Sequence, residues 1–127
     1  MDIDAQSVVN PVQEPGQTRQ VKRVGMVIGI KPEQIQVYKD LHAGPGVRDL
    51  LRQAHIHNFS IYLQSFPDGR FYEFAFYEYS GVDYAADLAW LAEQPANQAW
   101  LALCDPMQIP FPGESGWSMM EPIFFNE

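Results

Sequence analysis

Cysteine is nearly missing from this chain of 127 residues: Cys104 stands alone. No intrachain disulfide can form, and nothing speaks for an oxidising compartment. The apolar stretch around Cys104 predicts a buried, inert thiol rather than a nucleophile. Cations are scarce as well, with 8 Lys and Arg against 16 Asp and Glu and a net charge of -8. Phosphate backbones and anionic membrane surfaces are held by clustered Lys and Arg, so neither nucleic acid nor a membrane is expected as a partner. No run approaches the ~18 apolar residues of a membrane span. The amino end, MDIDAQSVVNPVQEPGQTRQ, has no apolar h-region and does not read as a signal peptide. Residues 1–21 are expected to form a loosely held extension, residues 22–127 a single domain, and the location to be cytoplasmic. A glycine-rich phosphate loop, a Cys/His ligand set and a Ser-His-Asp grouping are all lacking, so no cofactor or metal is expected.

What is present is apolar and aromatic. At 46% hydrophobic and 13% aromatic residues the chain can bury a core, which excludes wholesale disorder. Lys22 to Ile30 predicts a strand with Val24, Met26, Ile28 and Ile30 on one face. Gly25 and Gly29 on its other face mark close approach by a backbone or a ligand. Pro32 opens a helix that Gly44-Pro45 ends, and a second helical piece runs from Val47 to Ala54. Asn58 to Gln64 and Phe71 to Tyr79 form a hairpin around the turn Pro67-Asp68-Gly69. Helices follow from about Val82 to Glu93 and from Pro95 to Leu103. A last strand is expected near Met119–Phe125, where Pro122 suggests an edge or a bulge. Strand, helix, strand, strand, helix, strand is the ferredoxin-like α+β order, βαββαβ. Its helices cover one face of the sheet, which leaves the other face of Phe71–Tyr79 bare, although both rows of that strand, Phe71/Glu73/Ala75/Tyr77/Tyr79 and Tyr72/Phe74/Phe76/Glu78, are largely apolar or aromatic. An aromatic patch of that kind predicts a homodimer.

Tyr38 and His42 are four apart in PEQIQVYKDLHAGPG and therefore share a helix face, on or beside the apolar stripe of Ile35, Tyr38 and Leu41. Two readings follow from the residue types: a core tyrosine with a hydrogen-bonded histidine, or an acid/base with a polar neighbour at a pocket rim. His55 and His57 could share a face as metal ligands, but no third ligand is evident, and a turn with solvent partners is the default. Asp105 stops a helix before Pro106 and could also reach the pocket. Trp90 and Trp117 read as packing residues.

The segments VGMVIGIKPE, VYKDLH, HNFSIYL, FYEYSGVDYAADLAWLAEQPANQAWLALCDPMQ and EPIFF follow one another in order over about residues 22–125. Together they resemble the L-rhamnose mutarotases, small dimeric α+β-barrel enzymes. The resemblance implies interconversion of the α and β anomers of a deoxy sugar, with His42 as proton donor and Tyr38 as a substrate contact. A second substrate-binding tyrosine of the family corresponds to Phe59, which has no hydroxyl. A Trp-Trp pair corresponds to Trp100-Leu101, which keeps one indole. A tryptophan that many members carry after the histidine is absent from AGPGVRDL. These differences touch the walls of a sugar site rather than its acid/base.

The chemistry implied agrees with the residues. Mutarotation needs one proton delivered to the ring oxygen and another removed from the anomeric hydroxyl, with no hydride, phosphate or metal. Histidine as a residue type offers both protonation forms near neutral pH. The substrate class is then a monosaccharide of the L-rhamnose or L-fucose type, whose methyl group suits an apolar pocket. Two other classes stay open: a sugar-binding homologue with impaired catalysis, suggested by Phe59 and Leu101, and a cofactor-free oxygenase, by analogy of fold alone.

Overall fold

In the computed structural model, which describes residues 8–14 and 17–127 and side chains from residue 21 on, the sheet is built around one long strand, Gln17–Ile30 (β2). Its apolar alternation over Val24, Met26, Ile28 and Ile30 buries all four side chains on one face. Each such side chain contributes about 1.5–3 kcal/mol on removal from water. The strand expected from Lys22 begins at Gln17, and Val8–Glu14 (β1) pairs antiparallel with its first half. A turn of 3-10 helix, Pro32–Gln34, leads into α1 (Ile35–Ala43), followed by α2 (Arg48–Gln53). Next come the hairpin strands β3 (Ile56–Ser65) and β4 (Phe71–Tyr79). Helices α3 (Tyr84–Glu93) and α4 (Pro95–Cys104) complete the layer, and Asp83 caps α3 by accepting from the Ala86 amide at 3.1 Å.

The antiparallel order is β1-β2-β4-β3, with two short strands, β5 (Gln108–Ile109) and β6 (Ser118–Met119), also against β2. With β2 as the first strand of the expected pattern, β2 lies beside β4, β4 beside β3, and the closing pieces β5 and β6 against the other edge of β2, which is the ferredoxin-like connection expected. The closing strand differs from expectation. Instead of one strand near Met119–Phe125 there are two pieces of two residues each, and residues 120–127 lie outside any strand. Pro110 has no amide hydrogen to give a ladder and follows β5 directly, while after β6 the Met120 amide makes one more bond, to the Gly25 carbonyl, before Pro122. Gly29 permits the closest of these approaches, since a Cβ there would sit 2.8 Å from the Ile109 carbonyl. Gly29 thus marks a neighbouring backbone, whereas Gly25 makes room for the side chains of Met120 and Phe76.

Inward residues of β2, β3 and β4 form the core with the helices. Val24, Met26, Ala54, Ile56, Ala75, Tyr77, Tyr79 and Leu91 make one cluster, and Ile30, Tyr38 and Cys104 another. Cys104 is buried as expected, and desolvation pushes its thiol up to about 11. Trp90, expected to pack, is exposed, whereas Trp117 packs against the larger cluster. The outward face of the sheet carries Tyr62, Phe66, Tyr72, Phe74, Phe76 and Phe111, which contact one another ring to ring.

Candidate active site

Between the inner face of the sheet and the helices lies a cavity of about 580 Å³, within the ~300–1,000 Å³ typical of small-molecule pockets. The six residues assigned to a sugar site from the sequence all line it: Tyr38, His42, Phe59, Trp100, Leu101 and Asp105. Helix geometry brings the first two together. Spacing of four places the His42 ring over Tyr38, with centroids 4.1 Å apart and planes at 26°. The imidazole Nδ1 lies 2.7 Å from the Tyr38 carbonyl. A carbonyl only accepts, so Nδ1–H donates, and Nε2 is the nitrogen free for other chemistry. Trp100, from α4, meets the same ring edge-on at 5.0 Å.

The loop after His42 is held by two devices. Arg48 donates to the carbonyls of His42, at 2.9 Å, and of Gly44. Gly46 has φ of +54°, and a Cβ there would meet the Trp100 ring at 3.4 Å. Glycine is suited to both the left-handed backbone and the close approach. Helix end, loop and indole are thereby fixed around the histidine.

Phe59 and Leu101 form apolar wall. Phe59 stacks on Tyr77 with centroids 5.3 Å apart and planes at 11°, and Leu101 is 41% exposed. Tyr62, three residues after Phe59, points to the opposite face of the sheet and is 63% exposed, so its hydroxyl cannot replace the missing one. Asp105 stands at the pocket mouth, where desolvation raises its carboxyl above the ordinary range. His55 and His57 are exposed and away from the cavity. Among the described residues no group of three or more His, Cys, Asp or Glu is placed to hold a metal.

Of the further residues that line the cavity, three bear on its chemistry: Trp117, Glu73 and Gln108. Trp117 lines the pocket as well as packing. Glu73 is buried at 1% exposure, and Gln108 donates through Nε2 to both its Oε2 and the Tyr38 hydroxyl, each at 3.3 Å. Burial pushes the Glu73 carboxyl up to about 7, with contacts to Tyr38 and Gln108 opposing the shift. Burial, and then the Glu73 charge, raise the Tyr38 phenol well above its ordinary value. A signal for Glu73 was available: it is the one charged residue in the inward row Phe71, Glu73, Ala75, Tyr77, Tyr79. Gln108 gave no such signal, because β5 is too short to show a pattern.

Comparisons with known proteins agree with this architecture. Residues 23–125 match the family model for L-rhamnose mutarotase. Among solved structures, an L-rhamnose mutarotase from Formosa agariphila superposes with a TM-score of 0.63 at 23% identity, covering 83% of this chain and 98% of that one. No protein of curated function matches the sequence. With the match spanning nearly the whole domain, the chain belongs to the L-rhamnose mutarotase family, whose members are carbohydrate mutarotases.

Proposed function

We propose that this protein interconverts the α and β anomers of a deoxy aldose, of the L-rhamnose or L-fucose type, with His42 as the general acid/base. The observation that carries the reading is the tethered imidazole. With Nδ1 bound to the Tyr38 carbonyl, Nε2 is the nitrogen left to exchange a proton in the cavity. In the ring-opening step, Nε2–H gives its proton to the ring oxygen as the bond from that oxygen to the anomeric carbon breaks. The anomeric hydroxyl loses its proton to water and becomes the aldehyde carbonyl. After rotation about the next carbon–carbon bond, the former ring oxygen, now a chain hydroxyl, attacks the other face of the aldehyde carbonyl. The imidazole takes its proton back, and the new hydroxyl takes one from water. No electrons leave the sugar and no other atom is transferred.

Tyr38, Phe59, Trp100, Leu101 and Asp105 are assigned to holding the sugar. Stacking on Trp100 and contact with Phe59 and Leu101 suit the apolar face of a pyranose and its methyl group. Phe59 and Leu101 change those walls relative to the family pattern, while His42 and Tyr38 keep the family's residue types. The proposed working form is a homodimer, because the aromatic outer face of the sheet has no cover among the described residues. Exchange between anomer signals in one-dimensional NMR, with and without protein, across a panel of deoxy and ordinary aldoses, tests the activity. Exchange accelerated for a 6-deoxy sugar is the expected result. Binding without exchange would assign the chain as a sugar-binding homologue.

A further inference from the structure

Among the described residues, two polar side chains are buried. Asn97 is satisfied, donating to the Leu91 carbonyl at 3.2 Å. Glu73 is not: its Oε2 accepts from Gln108, but its buried Oε1 has no hydrogen-bond partner. In the sheet Glu73 stands between Ile28 and Leu63, so its immediate strand neighbours offer no side-chain donor. The cations that line the cavity, Lys39 and Arg48, have exposed side chains, and Arg48 is engaged with the carbonyls of His42 and Gly44. A carboxyl buried without a full set of partners is costly, and the cost is relieved by a ligand that brings a donor.

The arrangement also says where that donor would come from. The cavity wall runs from His42, over the Tyr38 ring, to the Tyr38 hydroxyl, Gln108 and Glu73. Gln108 uses its Nε2 on two oxygens at once, which fixes the carboxyl and leaves Oε1 as the unused acceptor. A neutral polyol lying along this wall would meet an acid/base at one end and an acceptor at the other.

Resting on the mutarotase reading, we propose that Glu73 is a specificity-determining residue whose Oε1 accepts a hydrogen bond from one ring hydroxyl of the sugar, with Gln108 as its positioning residue. The polar recognition given up at Phe59 and Leu101 is then supplied from the floor of the pocket. A site built to bond a hydroxyl discriminates strongly against the analogue that lacks it, because its own buried group is left unpaired.

The test pairs residue deletion with hydroxyl deletion. Dissociation constants for L-rhamnose and its 2-, 3- and 4-deoxy analogues are measured by NMR titration at pH 8, where the carboxylate is an acceptor only, on the wild type, Glu73→Leu and Glu73→Met, with circular dichroism melts to check folding. In the wild type, one analogue is expected to bind about tenfold or more weaker than the parent. In the Leu and Met variants that difference should shrink to about twofold or less, while the other analogues keep theirs. Equal discrimination in wild type and variants would overturn the proposal, whichever of the two variants folds. So would a wild type that binds none of these sugars. Binding is read independently of anomer exchange. A wild type that exchanges anomers without this coupling refutes only the role of Glu73, and one that shows the coupling without exchange refutes only the catalysis.

Discussion

On one side of β4, Phe71, Glu73, Ala75, Tyr77 and Tyr79 turn toward the helices; on the other, Tyr72, Phe74, Phe76 and Glu78 turn away. Both rows are rich in aromatic rings, and strand alternation alone separates them. The inner row is closed by its own chain. Tyr77 bonds to Tyr84 and Tyr79 to Asp87, so polar atoms brought inside by aromatic side chains find partners on α3. Glu73 is the exception, and it borders the cavity. The outer row has ring contacts but, among the described residues, no second layer: Phe76 is 44% exposed and its neighbour Tyr62 63%. One face of the strand therefore borders a cavity, and among the described residues the other stays exposed.

Removing the acid/base breaks the inner face functionally. His42→Ala is expected to lower the rate of anomer exchange by about 10²–10⁴. The fold should survive, because His42 is half-buried at a helix end and Tyr38 holds its place in the core. Exchange rates from NMR, beside a thermal melt, decide the matter. A variant with wild-type exchange would remove His42 from the mechanism.

Glu73 offers a test of the same face through stability. Its carboxyl is raised from an ordinary 4.5 to about 7 by burial. Between those two values the unfolded chain ionises while the folded one keeps its proton, so stability falls as pH rises through this window. Below the window both states are protonated and the cost is absent; above it the cost is complete. At about 1.4 kcal/mol per pH step the full cost is about 3 kcal/mol. Glu73→Gln should therefore gain little at pH 4.5 and up to about 3 kcal/mol at pH 8, read from urea unfolding at both. A stability difference that does not change with pH would show that the carboxyl ionises as freely in the fold as outside it.

Much of this comparison was legible in the sequence. Period-two alternation in β2 and β4 gave the two faces, because a half-buried strand must alternate. The i, i+4 spacing of Tyr38 and His42 gave their stacking, because a helix leaves no other arrangement. What the sequence hid depends on tertiary contact. The closing strand expected near Met119–Phe125 is instead two pieces, Gln108–Ile109 and Ser118–Met119, each too short to show an alternation. Trp117 read as simple packing because lining a cavity and packing a core call for the same apolar surface. Glu73 was visible as an odd residue in an apolar row, but its meaning required Gln108, which lies 35 residues away in sequence.

The outer face is sharpened by charging it. Two copies of a 14.5 kDa chain are the expected species in light scattering at micromolar concentration. Phe76→Glu places a carboxylate in the centre of the proposed contact and should return the protein to monomer mass. Each protomer forfeits the burial of one large apolar side chain, about 1.5–3 kcal/mol, before any cost of burying charge. Since Phe76 faces away from the cavity, sugar binding should be unaffected. A wild type of monomer mass would mean that the two faces differ only in exposure, with no second copy involved.

The smallest effect expected concerns the apolar wall of the inner face. Phe59→Tyr adds a hydroxyl to a ring already held against Tyr77, so the ring need not move to present it. A new hydrogen bond to the sugar contributes about 0.5–1.5 kcal/mol. Leu101→Trp adds an indole beside Trp100, and the 41% exposure of Leu101 leaves room on the solvent side. That exposure answers the overpacking that a buried position would suffer. Acting independently, the two changes should tighten L-rhamnose binding roughly tenfold, equivalent to about 1.4 kcal/mol. The gain should appear in the dissociation constant measured by NMR titration and should be smaller for sugars lacking the 6-methyl geometry of L-rhamnose. An unchanged sugar profile in a well-folded double variant would take Phe59 and Leu101 off the sugar-binding wall. Recognition would then rest on the opposite side of the pocket, where Tyr38, Gln108 and Glu73 converge.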